Sequence, residues 1–407
     1  MVEWITQVNN TLNGIVWGWP ALILLAFVGV LTSCITRFFQ ISHLGHWMKH
    51  TIGAIFHDSE VTSHTADRSI SQFQSLCTAL AATVGTGNIV GVAGAILVGG
   101  PGAVFWMWLI AFFGMMTNYS ENVLGIFYRQ KNELGEWSGG AMYYLRDGLG
   151  AKKGCKTVGK VLAAAFSVFC FLASFGIGNM TQVNSISGNV YSVFGMPTWA
   201  TGIVMLILCG LVIVGGLKRI ATVTEKIVPF MVLIYMVGTI AILVKNFAMI
   251  PAVFTAIFEG AFALKAAGGG IVGYGIKLAI EQGMKRGVFS NEAGLGSSVM
   301  VHSNSNVREP VRQGMWGIFE VFADTMVVCT LTAFTVLSSG LIDLDTGIAV
   351  TEYAGVELTK ANLVSTVFTM NFGWLGGAFV AIAIVLFAYS TVLGWSHYGS
   401  KACEYLF

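Results

Sequence analysis

The residues best suited to binding chemistry form a short polar interruption inside an apolar segment. Residues 76–98 are largely apolar except at 84–88, which read Val-Gly-Thr-Gly-Asn. Each glycine lowers helix propensity by roughly 1 kcal/mol, and at membrane depth every freed amide and carbonyl needs a partner. The interruption therefore predicts an unwound helix that lines an enclosed cavity and binds a ligand. The alternative is that these small residues only allow neighbouring helices to pack closely.

Acidic side chains inside apolar segments are the second set of candidates, because charges at membrane depth are costly and often functional. Glu320 and Asp324 stand at i and i+4 on one helical face, and Glu121 lies in another apolar segment. We expect a structural or gating network with arginines near the inner mouth, and direct cation ligation is the alternative. Asn291 and Glu292 are predicted to belong to the same inner gate region.

Composition places these residues in a helical membrane protein. The chain has 407 residues, is 55% hydrophobic and only 10% charged, and has a mean hydropathy of +0.73. The net charge of +2 comes with dispersed basic residues, so no nucleic-acid partner is predicted. The seven cysteines lack metal-ligand spacing and suit small apolar positions. No zinc-protease motif or phosphate loop is present, so an enzyme is not predicted.

Apolar runs of membrane length give nine candidate spans, since about 20 apolar residues cross the ~30 Å hydrocarbon layer. They cover residues 15–36, 74–98, 102–127, 159–183, 199–216, 225–244, 268–289, 313–338 and 374–396. The first span is not predicted to be a cleaved signal peptide, because it is of full membrane length and no basic segment precedes it.

The distribution of positive charge predicts the orientation in the membrane. With the N-terminus outside, most of the 22 lysines and arginines fall in inner loops, Lys285 and Arg286 among them. Acidic residues collect in the outer connection 340–372. This positive-inside bias predicts an odd number of spans with the N-terminus outside.

A glycine run predicts a second interruption at the start of the seventh span. Gly268, Gly269 and Gly270 are followed by Gly273 and Gly275. Glycine-interrupted helices at corresponding positions of two halves indicate an inverted-repeat transporter with its site at the membrane midplane. We therefore expect Gly269, Gly270 and Gly273 to line the same site as the first interruption.

A long string links the chain to a known family. Residues 99–114 read Gly-Gly-Pro-Gly-Ala-Val-Phe-Trp-Met-Trp-Leu-Ile-Ala-Phe-Phe-Gly, which resembles the signature of the sodium:alanine (alanine or glycine:cation) symporter family. Residues 78–88, 289–297, 320–325 and 394–396 agree with it. The resemblance extends from about Ala21 to the end of the sequence.

The resemblance implies an all-α polytopic membrane protein with the five-plus-five inverted-repeat fold of the amino acid–polyamine–cation superfamily, known from leucine-transporter-type symporters. The whole chain, 1–407, is then one transmembrane domain, with an extra helix at 15–36, a first repeat at 74–244 and a second repeat at 251–407. Members of the family continue for two further helices, so the last two core helices are expected to be missing and the second repeat incomplete.

The resemblance also implies roles for single residues. The amides of Thr86 and Gly87, beside Gly85, face the substrate carboxylate, and Thr83 and Asn88 correspond to ligands of a second, less widely shared sodium or to substrate or structural groups. One Na⁺ site is formed by main-chain and hydroxyl oxygens of Ala81, Val84, Phe387, Ser390 and Thr391. Such all-oxygen sites suit hard cations. The alternative for Ser390 and Thr391 is back-bonding within their own helix.

Two amides and a tryptophan complete the predicted substrate site. Asn179 and Gln182 stand one turn apart in the fourth span, where they either contact the substrate or hydrogen-bond between helices. Trp395, one turn beyond Thr391, either closes the pocket against larger side chains or belongs to an interfacial aromatic belt.

The expected function is Na⁺-coupled import of small neutral amino acids, alanine or glycine, across a prokaryotic inner membrane. A proton-coupled carrier, a non-transporting amino-acid sensor and a fragment of a carrier are the alternatives. The expected partners are the amino acid and the lipid bilayer, with Na⁺ as coupling ion and no obligatory protein partner.

Overall fold

The structure is a computed structural model that describes residues 2–64, 69–262 and 269–407, with the backbone alone described at 2, 5 and 269–274. The helices of the first part of the chain are α1 (Val2–Val16), α2 (Trp19–Ile35), α3 (Phe39–Ser42), α4 (Leu44–His50), α5 (Ile52–His57), α6 (Ser59–Thr62), α7 (Gln72–Thr83), α8 (Val92–Gly99), α9 (Gly102–Tyr128) and α10 (Ala141–Tyr143).

The middle of the chain continues with α11 (Lys156–Phe175), α12 (Thr181–Phe194), α13 (Thr198–Ile213), α14 (Gly216–Lys245), α15 (Ile250–Phe262) and α16 (Gly269–Asn291). The last helices are α17 (Val299–His302), α18 (Pro310–Val321), α19 (Thr330–Leu337), α20 (Leu363–Phe372) and α21 (Trp374–Leu406). A 3₁₀ turn covers Phe247–Met249, and wider π-helical turns cover Gly87–Gly91, Tyr144–Leu149, Gly176–Met180 and Phe322–Cys329.

Strands are short within the described residues and lie outside the predicted spans. Antiparallel pairs join β1 (Gln130–Lys131) to β2 (Trp137–Ser138) and β3 (Glu352–Tyr353) to β4 (Val356–Glu357). The described chain is thus a mostly helical bundle, as its composition predicts.

Local sequence signals start and end several helices. Ser71 and Gln74 form a capping box at the start of α7, in which each side chain bonds the other residue's backbone amide. Pro310 occupies the first turn of α18, where its missing N–H costs no helical bond. Gly195 ends α12 in a left-handed conformation with φ 68°.

Six helical segments of the described chain are long and apolar enough to cross a membrane, and the bent pair α7 and α8 makes a seventh. The predicted spans 199–216 and 268–289 coincide with α13, which is only 16 residues long, and with α16. Large apolar side chains such as Leu172, Leu206 and Val214 are exposed on the outside of the bundle. In water such a surface would be unfavourable, and a lipid environment accounts for it.

Positions along helix α9 locate other segments in the bundle, because α16 packs against α9 and runs in the same direction. Gly102 lies against Gly260 of α15, Gly287 packs on Ile110 of α9, and a methyl group at Gly114 would lie 3.1 Å from the Cβ of Ala293. The end of α16 therefore lies halfway along α9, in the middle of the bundle. We refer to the two faces of the bundle as the Gly102 end and the Tyr128 end.

Candidate functional site

The first interruption is present where the sequence predicts it. Helix α7 ends with the amide of Val84 donating to Leu80 O at 2.8 Å, and the next amide, that of Gly85, donates to the side-chain Oδ1 of Asn88 at 2.9 Å. The axes on either side of the break differ by 50°. Asn88 thus replaces a helical hydrogen bond, which is how the broken backbone is satisfied at this depth.

Glycine at position 85 lets α21 approach the break. A Cβ at Gly85 would lie 2.5 Å from the Oγ1 of Thr391, and one at Gly394 would lie 2.7 Å from the Cβ of Ala82. These separations are closer than side-chain atoms tolerate, so both glycines are required by close packing. The alternative interpretation, close helix packing, is therefore correct for Gly85, and it holds alongside the break.

The predicted cation ligands of α21 converge on one carbonyl. The hydroxyls of Ser390 and Thr391 each donate to Phe387 O at 2.9 Å. Ser390 also lies 3.5 Å from the Sδ of Met231. The back-bonding alternative thus describes this structure, and it leaves three oxygens clustered beside Gly85. Ala81 and Val84, whose carbonyl oxygens are the other predicted cation ligands, are buried in the same hydrophobic cluster as Phe387.

A cavity of about 390 Å³ lies beside the break. It is lined by residues 16 and 17, by Ala82, Thr83, Gly85 and Gly87 of the first broken helix, by Phe166, Phe169, Cys170, Ala173, Ile177 and Gln182, by Phe289, Glu292, Leu295 and Ser297, and by Thr391 and Trp395 of α21. Most of these walls are apolar. The few polar groups are gathered at the break and at Glu292.

Gln182 connects the break to the π-helical turn before α12. The Thr86 hydroxyl donates to Gln182 Oε1 at 3.0 Å, and Gln182 Nε2 donates to Ile177 O at 3.1 Å. Asn179 instead lines a separate cavity of about 470 Å³ with Phe171. The structure therefore brings Gln182, and not Asn179, to the main cavity, because the wide turn Gly176–Met180 rotates the two amides off one face.

The second interruption lies about 20 residues beyond the predicted one. Helix α16 is continuous from Gly269, and Gly270, Gly273 and Gly275 lie within it, whereas Gly268 lies outside the described residues. The break comes after Asn291, where Glu292, Gly294 and Gly296 have φ values of 56°, 90° and 70°. The expectation of an interruption at 269–275 was wrong, because left-handed backbone positions and not glycine content alone end this helix.

Glu292 is held in its left-handed conformation by two donors. Its Oε1 accepts the indole Nε1–H of Trp395 at 3.0 Å, and its Oε2 accepts the hydroxyl of Ser297. Trp395 packs against Gly178, where a Cβ would lie 2.5 Å from the tryptophan Cβ. Trp395 lines the cavity and is only 8% exposed. Of the two interpretations, the cavity wall therefore fits this structure better than the interfacial aromatic belt.

A buried carboxylate joins the two interruptions. Asp324 accepts hydrogen bonds from Asn88 Nδ2 at 2.6 Å, from Ser290 Oγ at 2.7 Å and from Thr325 Oγ1 at 2.7 Å. Asn291 Nδ2 in turn donates to Thr325 at 3.0 Å. Asn88 thus accepts a hydrogen bond from Gly85 through Oδ1 and donates one to Asp324 through Nδ2. These bonds correspond to the structural role, one of the alternatives for this residue.

The other two carboxylates support the second break from α9 and α18. Glu121 Oε2 accepts the amide of Gly294 at 3.1 Å. Glu320 Oε2 accepts Asn118 Nδ2 at 2.9 Å and His302 Nε2 at 3.0 Å. Glu320 and Asp324 each accept hydrogen bonds from a separate set of buried amides, hydroxyls or a histidine, so the expectation of arginine partners was wrong. None of the described arginines bonds either carboxylate.

Sequence reasoning missed the aromatic and sulfur-bearing walls of the cavity. Phe166, Phe169 and Cys170 of α11 and Phe289 of α16 line it, yet each is an ordinary apolar residue of a membrane span. Only Phe289 carried a signal, since it begins the 289–297 string.

A bundle of membrane-length helices with a cavity between two interrupted helices is the architecture of a multi-span membrane transporter. The chain belongs to the sodium:alanine symporter family, whose model matches residues 2–407.

Three relatives illustrate the family. The sodium/alanine symporter AgcS of Methanococcus maripaludis is 44% identical over 397 residues, which are 98% of this chain and 83% of that protein. The putative sodium/proton-dependent alanine carrier protein YrbD of Bacillus subtilis is 37% identical, over 97% of this chain and 78% of that protein. The probable sodium/glutamine symporter GlnT of the same organism is 34% identical, over 100% of this chain and 78% of that protein.

Proposed function

We propose that this protein imports small neutral amino acids, alanine or glycine, together with Na⁺ by alternating access. The observation that carries the proposal is the juxtaposition of the break at Gly85 with the oxygen cluster of Phe387, Ser390 and Thr391 beside a central cavity. The relative with the highest identity given above, at 44%, is named a sodium/alanine symporter, which supports the same function.

The cavity suits a small zwitterion. The second half of the broken helix starts at Thr86 and Gly87, so its first amides have no partner within the helix and carry the positive end of the helix dipole. A substrate carboxylate at this point would be stabilised. The aromatic walls, which include Phe289 and Trp395, exclude water and restrict the space left for a side chain.

The oxygen cluster of α21 suits Na⁺. Carbonyl and hydroxyl oxygens are the ligands that hard cations prefer. Because Thr391 lines the same cavity as Gly85, a cation bound to its hydroxyl would lie beside the carboxylate of the amino acid. This proximity provides the coupling, since each ligand then neutralises part of the charge of the other.

For the membrane orientation we propose an outside N-terminus in a prokaryotic inner membrane. Residues 129–160, which hold seven of the 22 lysines and arginines, follow α9 at the Tyr128 end. Phe39 of α3 packs on Tyr119 in the same half of α9. By the positive-inside rule this end faces the cytoplasm. Lys285 and Arg286 do not belong to it, because α16 packs them beside the first turns of α9.

Proteoliposomes test the proposal directly. Labelled alanine should accumulate when an inward Na⁺ gradient is imposed and should not accumulate with a pH gradient alone. A proton-coupled carrier is the second candidate, favoured by the carboxylate of Glu292 at the cavity wall and by the name of the 37% identical relative. Uptake driven by the pH gradient alone selects it, and alanine binding without flux identifies a sensor.

A further inference from the structure

A second cavity of about 550 Å³ adjoins the main one on the side of the Gly102 end. Its polar walls are formed by Asn10, Asn13, Gln282, Lys285 and Arg286. Trp17, Ile177 and Phe289 line both cavities, so these three side chains form the partition between them. A solute that leaves the main cavity past this partition enters the second cavity, which we call the vestibule.

The charged groups that line the vestibule are both cations. Lys285 is already paired, with its Nζ 3.9 Å from Glu281 one turn away on the same helix. Arg286 forms no ion pair with any residue that the structure describes; its guanidinium carbon lies 5.7 Å from the centroid of the Phe289 ring. The uncompensated charge of the vestibule is therefore that of Arg286.

Arg286 is held at the partition by its packing. A Cβ at Gly91 would meet its Cδ at 3.8 Å and its Nη1 at 4.0 Å, so the side chain lies between α16 and the helix segment that follows the first break. Phe289 is the next turn of α16 and faces Gly87, where a Cβ would lie 3.5 Å from the ring. A ligand bound to Arg286 is thus one aromatic ring away from the main cavity.

We propose that the vestibule is a recruitment site in which Arg286 binds the carboxylate of the incoming amino acid before it passes Phe289 into the main cavity. A guanidinium offers paired N–H donors that match a carboxylate in two parallel hydrogen bonds. The amides of Asn10, Asn13 and Gln282 supply neutral oxygens for the ammonium group. The inference rests on the proposed function for the identity of the ligand, although the anion preference of the vestibule stands without it.

A labelling experiment tests the site without transport. In Asn13→Cys we expect an anionic sulfonate methanethiosulfonate to react several-fold faster than its cationic trimethylammonium counterpart, and propionate or alanine to slow both. Peptide mass spectrometry reads position 13 separately from exposed Cys34. Adding Arg286→Gln should abolish the charge preference and the protection. Equal rates for the two reagents, or no protection while Arg286 is present, overturn the proposal.

Transport kinetics give the second readout. Arg286→Gln should lower kcat/KM for alanine about tenfold or more by raising KM, with kcat retained, because charge-assisted hydrogen bonds contribute more than the ~1.4 kcal/mol that a factor of ten represents. Arg286→Lys should have a kcat/KM between those of the unchanged protein and Arg286→Gln. Lys360→Gln, which removes an exposed charge near Gly94 at the same end, is the matched control.

Two further outcomes are informative. An Arg286→Gln variant that elutes as a single species but loses kcat with an unchanged KM overturns the recruitment role. Alanine uptake that ignores the Na⁺ gradient contradicts the proposed coupling, while charge-selective labelling and its protection by propionate still establish the vestibule as an anion site.

Discussion

Replacing Gly178 by alanine should expel Trp395 from its place in the cavity wall. The new methyl carbon would lie 2.5 Å from Cβ, 2.6 Å from Cγ and 2.9 Å from Cδ2 of Trp395. Ordinary carbon contacts are about 3.5–4.0 Å, so the two helices must separate by roughly 1 Å. The Trp395 Cβ is fixed by the backbone of α21, and rotation of the indole alone cannot relieve the contact.

The magnitude follows from two contributions. Overpacking of this kind costs about 1–3 kcal/mol. Withdrawal of the indole also removes the 3.0 Å hydrogen bond from Trp395 to Glu292. A typical hydrogen bond contributes about 0.5–1.5 kcal/mol to stability. We therefore expect a loss of about 3 kcal/mol in the free energy of unfolding, together with loss of most alanine uptake.

Gly176→Ala is the matched control, because nothing lies within 4 Å of a Cβ at Gly176, two residues earlier in the same segment. Both variants gain the same helix propensity, roughly 1 kcal/mol. Thermal unfolding of the purified proteins and alanine uptake in proteoliposomes compare the two. If Gly178→Ala unfolds at the temperature of Gly176→Ala and transports as well, the packing argument for Trp395 is refuted.

Substitutions at the break, at α21 and at the shared carboxylate test the rest of the site. Thr391→Ala should raise the Na⁺ concentration for half-maximal uptake about tenfold, and Ser396→Ala, which removes a hydroxyl that bonds within the same helix, should leave it unchanged; equal midpoints in both variants would remove Thr391 from the cation site. Gly85→Ala should lower the unfolding temperature, because its Cβ would lie 2.5 Å from the Thr391 hydroxyl; the double variant with Thr391→Ala should recover most of that stability without recovering Na⁺ affinity, and absence of recovery contradicts the contact. Asp324→Asn should destabilise by about 1–3 kcal/mol, since its amide would face donors that now bond a carboxylate, whereas Glu352→Gln on an exposed strand should be neutral in thermal unfolding; equal unfolding temperatures for these two would contradict the network.

The helical spans and the first break could be predicted because their signals are local. Membrane-length apolar runs fix where helices lie, and two glycines beside a threonine and an asparagine mark the break after Thr83. The second break was misplaced because glycine content was read as helix weakness. Its determinant is a non-glycine residue, Glu292, at φ 56°, whose conformation is held by Trp395, 103 positions away in the chain.

The partners of polar residues were the hardest part to predict. Gln182 and Asn179 have the same chemistry and stand three positions apart, yet a π-helical turn sends only Gln182 to the cavity. Asp324 was expected to bond arginines, and it bonds Asn88, which precedes it by 236 residues. Such pairings depend on how distant helices cross, and periodicity within one helix carries no information about them.

The carboxylate of Asp324 also constrains how the protein moves. It bonds Asn88 on the first broken helix and Ser290 at the end of α16. A displacement of either segment alone breaks a bond to a charged acceptor, at about 1.5–3 kcal/mol, whereas a displacement of both together with Asp324 breaks neither. Asp324 therefore couples the two segments. Their concerted rotation is the low-energy motion, because it keeps both hydrogen bonds to Asp324.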